Sequence, residues 1–226
     1  MTIIRTMEVP RLRSPVLIEG LPGMGFVANV ATLHMIRQLK AKKFMEVLPA
    51  QVGFTIIDGD LNVPMSQLHY SHRIGEGNDL ILLYGNTQPL TVPDQYEHCN
   101  SILEIVRDLG CRSVFCLGGM RKRRSGGPSQ VYCAATDTES LNKALAFGAK
   151  RVVGRIFGCT GIILGLAKLR GMSGICLLAE TETPDRPDPE AAKSVMRILG
   201  AMLRLKLSIT KLDSAVRFVR ERTITV

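Results

Sequence analysis

The stretch Asp79-Leu80-Ile81-Leu82-Leu83-Tyr84-Gly85 constrains the fold of this 226-residue chain more than any other. Its apolar residues are continuous rather than alternating, as in a strand buried on both faces of a parallel sheet. Such a strand needs helices packed above and below it. Similar runs occur at Pro15 to Glu19, Val114 to Leu117 and Gly174 to Glu180, and Val131 to Ala135 reads as a further strand. Helical segments lie between them. Phe26 to Leu39 places Val27, Val30, Ala31, His34 and Met35 at three- and four-residue intervals. Pro93 to Leu109 carries Thr91 or Asp94 near its cap and Gly110 at its end. Helices are also expected from Asp137 or Thr138 to Phe147, over Glu190 to Leu207 behind Pro189, and over Asp213 to Arg222. Gln51 to Ile57 reads as a strand turning at Asp58-Gly59-Asp60. Leu61 to His69 is its expected hairpin partner, held to an edge or a bulge by Pro64.

Strands and helices alternate from one end to the other with no linker between them. The expected architecture is one α/β domain over 1–226, with a largely parallel central sheet flanked by helices. Its core spans about 15–207, and a C-terminal helix and tail occupy 208–226. The cysteines Cys99, Cys111, Cys116, Cys133, Cys159 and Cys176 form no C-x-x-C pair, and several sit in apolar runs. They read as reduced core thiols of a cytoplasmic protein rather than as disulfides or zinc ligands. The chain opens without an apolar signal core and holds no apolar run near the ~20 residues that cross a bilayer.

The formal net charge of +9 suggests nucleic acid until it is located. Arg121-Lys122-Arg123-Arg124 and the segment from Arg197 to the end account for the excess. The first run has no aromatic neighbour for base stacking and borders Gly126-Gly127-Pro128, so it reads as an exposed loop. Nucleic acid and membrane are therefore not the expected partners.

Glu19-Gly20-Leu21-Pro22-Gly23-Met24-Gly25 joins a strand to a helix, the position of a phosphate cradle. Its spacing is G-x-x-G-x-G, unlike the dinucleotide fingerprint, and no G-K-[ST] follows. A tight turn with close strand–helix contact is the favoured reading. The alternative is a crevice at the strand ends, lined by Glu19, Gly23, Gly25 and Glu180, that takes a nucleoside- or phosphate-like molecule. Gly161 and Gly165, four apart, imply tight packing in the domain or across a subunit contact. His34, His69, His72 and His98 lack a metal-ligand spacing, and Ser125, Ser129 and Ser173 lack a nucleophile elbow. Ile198, Leu199, Met202, Leu203 and Leu205 give the basic C-terminal stretch an apolar face, expected to dock on the chain's own core. No catalytic constellation, cofactor or metal is expected.

Taken in order, several blocks resemble one family. They are P-V-L-I-E-G-L-P-G-M-G-F-V-A from Pro15 to Ala28, D-L-I-L-L-Y-G from Asp79 to Gly85 with Gln88-Pro89, and Leu117-Gly118-Gly119. Gly161 to Met172 and Gly174 to Thr181 complete the set. The chain resembles the family of the second eukaryotic proteasome assembly chaperone and its archaeal and bacterial relatives. The resemblance implies an α/β fold similar to nucleoside phosphorylases and hydrolases without their catalytic residues. It also implies homo-oligomers and a role in engaging proteasome α subunits. Some members look to dock a C-terminal hydrophobic–tyrosine–any tripeptide between α subunits. The corresponding residues here are Ile224, Thr225 and Val226, which match at the hydrophobic position and depart at the tyrosine.

Overall fold

In the computed structural model, residues 2–49, 54–57, 59–63, 65–73, 77–122, 128–210 and 212–222 are described. The elements run β1 (Ile3–Thr6), β2 (Val16–Gly20), a 3-10 turn at Met24–Phe26, α1 (Val27–Gln38) and β3 (Lys42–Leu48). They continue with β4 (Thr55–Ile57), β5 (Asp60–Asn62), β6 (Ser66–Ser71), β7 (Leu80–Gly85), α2 (Val92–Asp108), β8 (Ser113–Arg121) and β9 (Val131–Ala135). The last are α3 (Thr138–Ala146), β10 (Lys150–Arg151), α4 (Gly158–Leu169), β11 (Ser173–Thr181), α5 (Pro189–Met202) and α6 (Asp213–Arg222). Nine strands form one sheet in the order β1-β3-β6-β7-β2-β8-β11-β9-β10, and β4 and β5 make a separate hairpin.

The four central strands β7, β2, β8 and β11 are parallel, and they are the continuous apolar runs. The flanks are not. β1, β3 and β6 add to one side by antiparallel pairing, and β9 pairs antiparallel with β11 on the other. The sheet is thus mixed, with its parallel part where both faces are covered. One face carries Val16, Ile18, Leu80, Leu82, Phe115, Leu117, Ile175 and Leu177 against α1, α3, α5 and α6. The other carries Leu17, Ile81, Leu83, Cys116 and Cys176 against α2 and α4. The odd/even split within each strand is the period-2 pleat of β structure. All six cysteines are free and buried. No described helix is long and apolar enough to cross a membrane.

Caps fall where the polar residues offered them. Thr91, Asp137 and Asp188 accept the backbone N–H of Asp94, Ser140 and Ala191 at the starts of α2, α3 and α5. Three expectations are corrected. Leu61 to His69 is not one partner strand: β5 pairs with β4, while β6 pairs with β3 and β7. Gly118-Gly119 does not close its strand, since β8 runs through both to Arg121. α5 stops at Met202 rather than Leu207. Arg204 adopts φ 51°, and the Arg204 and Leu205 amides donate to the Ala201 and Gly200 carbonyls, the bonding of a Schellman stop. Leu205, Leu207 and Ile209 then pack on the same cluster in non-helical chain, which preserved an apolar pattern beyond the helix end.

Glycine separates tight from open positions. A Cβ on Gly20 would lie 2.0 Å from Thr32 Oγ1 and 2.3 Å from Thr32 Cβ, so only glycine lets β2 meet α1 there. A Cβ on Gly165 would meet nothing within 4 Å. Gly20→Ala is therefore expected to destabilise by ~3 kcal/mol through overpacking, lowering Tm by ~6–12 °C. Gly165→Ala is expected to stabilise by ~0.5–1 kcal/mol as a helix-interior replacement. Thermal unfolding followed by circular dichroism checks both. Similar Tm changes in the two variants would contradict the packing role.

Candidate functional site

The glycine turn after β2 lies over the C-terminal end of the parallel strands, where open α/β sheets bind ligands. Three of its amides are already engaged. Leu21 N–H donates to Glu19 Oε1 at 2.8 Å. Gly25 N–H donates to the Pro184 carbonyl at 2.8 Å, and Phe26 N–H donates to the Gly23 carbonyl at 2.9 Å. Asp188 N–H returns a bond to the Gly25 carbonyl at 2.8 Å, so the segment between β11 and α5 clasps the turn from both sides. Thr181 Oγ1 donates to Asp188 Oδ2 at 2.9 Å and fixes that segment to the end of β11.

Gln88, in the loop after β7, closes the other side. Its side-chain amide donates to the Pro22 carbonyl, and its Oε1 accepts the Cys159 N–H at the start of α4 at 3.1 Å. Asn29 of α1, buried, donates to the carbonyls of Gly20 and Gly85 at 3.2 and 2.7 Å and joins the ends of β2 and β7. Each crossing needs a missing side chain. Gly25 adopts φ 63° and faces Thr181, and a Cβ on Gly119 would lie 2.2 Å from the Met24 carbonyl oxygen. A Cβ on Gly161 would likewise lie 2.2 Å from the Ile156 carbonyl oxygen, while Gly165 faces open space. Gly23 is extended, with φ −164°, and has no such constraint.

The two candidate carboxylates do not pair. Glu19 aligns with Cys116 and, through it, Cys176, whereas Glu180 aligns with Met120. Four residues along the strand and two strands across place them ~16 Å apart. Glu19 is 0% exposed, and its Oε2 has no hydrogen-bonded partner. Burial pushes its carboxyl up to about 7, against the opposing pull of the Leu21 N–H, the Thr160 hydroxyl and the Leu117 N–H. The same buried carboxyl raises the nearby Cys99, Cys116 and Cys176 thiols, in each case behind larger causes, foremost a hydrogen bond with Cys159 for Cys99 and burial for the other two. Glu180 goes the other way. Burial raises it, but hydrogen bonds from Lys122 and Tyr132 outweigh that and hold it low. Its Oε1 accepts the Tyr132 hydroxyl at 3.0 Å and lies 2.9 Å from Lys122 Nζ. Beside them is a notch of about 170 Å³ lined by Arg121, Lys122, Thr181 and Glu182.

The sequence reading missed one catalytic-looking pair. Ser66 Oγ and His98 Nε2 stand 2.8 Å apart at the same end of the sheet. Both are about 1% exposed, and His98 Nδ1 has no partner to orient the ring. Burial drives His98 down to about 4, so it is neutral at pH 7. A hydroxyl closed off from solvent, with no carboxylate behind its histidine, lacks the arrangement for acyl transfer. Spacing could not reveal the pair, whose members lie in β6 and α2. The other histidines are scattered: His34 faces the Ser208 carbonyl, His72 contacts Asp79 and His69 contacts Gln67. No group of His, Cys, Asp and Glu suited to a metal occurs among the described residues. Ile224, Thr225 and Val226, along with Arg123 and Arg124, lie outside the described residues.

Glu19 makes pH the readout of this packing. A carboxyl raised by burial stabilises the fold most below its unfolded value near 4.5, and that stability is lost as pH rises through about 7. The full penalty is ~3 kcal/mol. Glu19→Gln keeps an acceptor for the Leu21 N–H but cannot ionise. Its Tm relative to the native chain should therefore climb between pH 4.5 and 8. A difference that stays flat with pH would show that Glu19 is not buried in this way.

Comparison with known proteins follows the same outline. The PAC2 family model matches residues 17–223. An uncharacterised protein of Methanocaldococcus jannaschii is 30% identical over 219 residues, 94% of this chain and 83% of that protein. Among solved structures, Pyrococcus furiosus PbaB, described as an archaeal proteasome activator, superposes with TM-score 0.87 at 30% identity, covering 97% of this chain and 96% of that one. Pyrococcus furiosus PbaA, described as an archaeal homolog of proteasome-assembly chaperone, gives TM-score 0.78 at 24% identity, covering 98% of each chain, and shares the fold. With the match running from the first buried strand to the last helix, the chain belongs to the PAC2 family.

Proposed function

We propose that this chain is a non-enzymatic binding factor in proteasome assembly or activation, acting as a homo-oligomer that engages proteasome α subunits. The observation that carries the reading is the match to PbaB along nearly the whole of both chains. The strand-end region supports it. The place where an α/β enzyme of this topology would hold its substrate is filled by the turn, Gln88 and the segment before α5. Chemistry needs a space in which a reacting atom can sit, and three amides of the turn, those of Leu21, Gly25 and Phe26, already have acceptors.

Binding is left to the periphery. Leu90, Val92 and Phe157 are 77%, 63% and 79% exposed around the filled end, and Ile56 and Leu61 are 61% and 59% exposed on the β4–β5 hairpin. Apolar side chains presented in this way suit protein contacts, including contacts between copies. The tail Ile224-Thr225-Val226 is the candidate contact to an α subunit. Without a tyrosine ring at the penultimate position it binds more weakly than a hydrophobic–tyrosine–any tail.

Light scattering behind size exclusion, at several concentrations, should give a mass above 24.8 kDa. A strict monomer would remove self-association from the reading. Capture of proteasome α subunits should be greater for the full chain than for a chain ending at Arg222, and equal recovery would remove the tail from the mechanism. A thermal-shift screen with inorganic phosphate, nucleosides and nucleotides should leave Tm unmoved. A ligand at 100 times its Kd would add ~2.7 kcal/mol, so a clear shift would restore the small-molecule alternative.

A further inference from the structure

The end of the sheet opposite the glycine turn is open, and it is basic. Three adjoining cavities of about 420, 540 and 510 Å³ run along the N-terminal ends of the parallel strands. The first and second share Arg73 as a wall, and the second and third share Lys143, so they form one groove. Six basic side chains line it: Arg11, Arg13, Arg73, Arg204, Lys143 and Lys168.

Three acidic side chains, Asp79, Asp137 and Glu139, share the walls, and six positive against three negative charges leave an excess of three positive. Asp79 is consumed by the backbone N–H groups of Arg13 and Arg73 and by His72. Asp137 is consumed as the cap of α3, by the Ser140 N–H and hydroxyl and by the Thr136 hydroxyl. Glu139 is exposed. Arg73 donates to the carbonyls of Leu203 and Arg204, which turns its charge toward the end of α5 without neutralising it. Among the described residues, Arg11, Lys143, Lys168 and Arg204 have no ion pair. Helix C-termini favour cations, and Lys143 and Lys168 each occupy a last turn. Dipoles do not explain why both face the same groove as Arg11 and Arg204, which are not in helices.

We infer that this groove binds an extended acidic peptide segment of a partner protein. The floor is apolar between the cations: Leu12, Leu203 and Phe147 line it, over the buried Met172 and Met202. That combination suits a chain alternating carboxylates with aliphatic side chains. From β7 across β2, β8 and β11 to β9, the sheet edge spans ~19–20 Å, the reach of about six extended residues. A single-stranded nucleic acid would need rings to stack successive bases, and among the described residues the groove offers only Phe147 and His72 besides the buried strand residue Phe115. This inference goes beyond the family reading and does not depend on it.

The test is fluorescence anisotropy with a labelled octapeptide of alternating Glu and Leu, a Lys/Leu counterpart, and a 12-nucleotide single-stranded RNA. The native chain should bind the Glu/Leu peptide, more weakly as salt rises, and should not bind the Lys/Leu peptide. Lys143→Glu with Lys168→Glu, two substitutions in the groove, should weaken binding by roughly tenfold or more, since each exchanges an attraction for a repulsion. Arg155→Glu with Arg220→Glu changes net charge equally at exposed positions outside the groove and should leave affinity within about twofold. Circular dichroism and Tm establish that both variants fold, and Lys143→Arg with Lys168→Arg should restore native affinity. Equal losses in the two charge-reversed variants, no binding of the Glu/Leu peptide, or tighter binding of the RNA with the same sensitivity would each overturn the inference.

Discussion

The close approach of the Met24 carbonyl to Gly119 is the contact on which the rest of the strand-end architecture depends. A Cβ at Gly119 would lie 2.2 Å from that oxygen, so any other residue in β8 would lift the turn off the sheet. With the turn seated, Gly25 can exchange backbone hydrogen bonds with Pro184 and Asp188, and Asp188 is then placed to cap α5. Gly20 does the same for α1 by admitting Thr32. These glycines lose more conformational entropy on folding than other residues would. What they permit is a set of buried backbone bonds that exclude water from the end of the sheet.

That closure is the structural support for the proposed non-enzymatic role. Glu19 sits where a substrate-binding carboxylate could sit, yet it is fully buried under α4 and bonds to its own turn. Ser66 and His98 approach as a nucleophile and base do, but inside the fold. Glu180 is neutralised by Lys122 and steadied by Tyr132. Polar groups at the strand ends thus serve packing, and the surfaces left for recognition are an apolar rim at one end of the sheet and a basic groove at the other.

Much of this was legible in the amino-acid order. The strands at 16–20, 80–85, 113–121 and 173–181 are continuous apolar runs, and no helical period competes with them. Thr91, Asp137 and Pro189 mark helix starts because their preferences are local. β3 was not legible, because Lys43 and Glu46 interrupt its apolar pattern; they meet across a register shift between Lys43 and Met45, and Glu46 also pairs with Arg5 of β1. The true end of α5 was obscured because Leu205 and Leu207 stay apolar for the core they meet after the helix has stopped. The basic groove was invisible for a different reason. The formal charge excess falls at residues 121–124 and beyond 197, but Arg11, Lys143 and Lys168 lie far apart in the chain and converge only when the strand starts and helix ends are brought to one edge.

The central claim is that the glycine turn is a packing element whose Leu21, Gly25 and Phe26 amides are already occupied. Amide-resolved NMR during titration with inorganic phosphate and with a nucleoside monophosphate examines it most directly. The account predicts that the Leu21, Gly25 and Phe26 resonances stay in place and that these amides exchange slowly with solvent. Saturable shifts at those three amides, together with fast exchange in the absence of ligand, would contradict it.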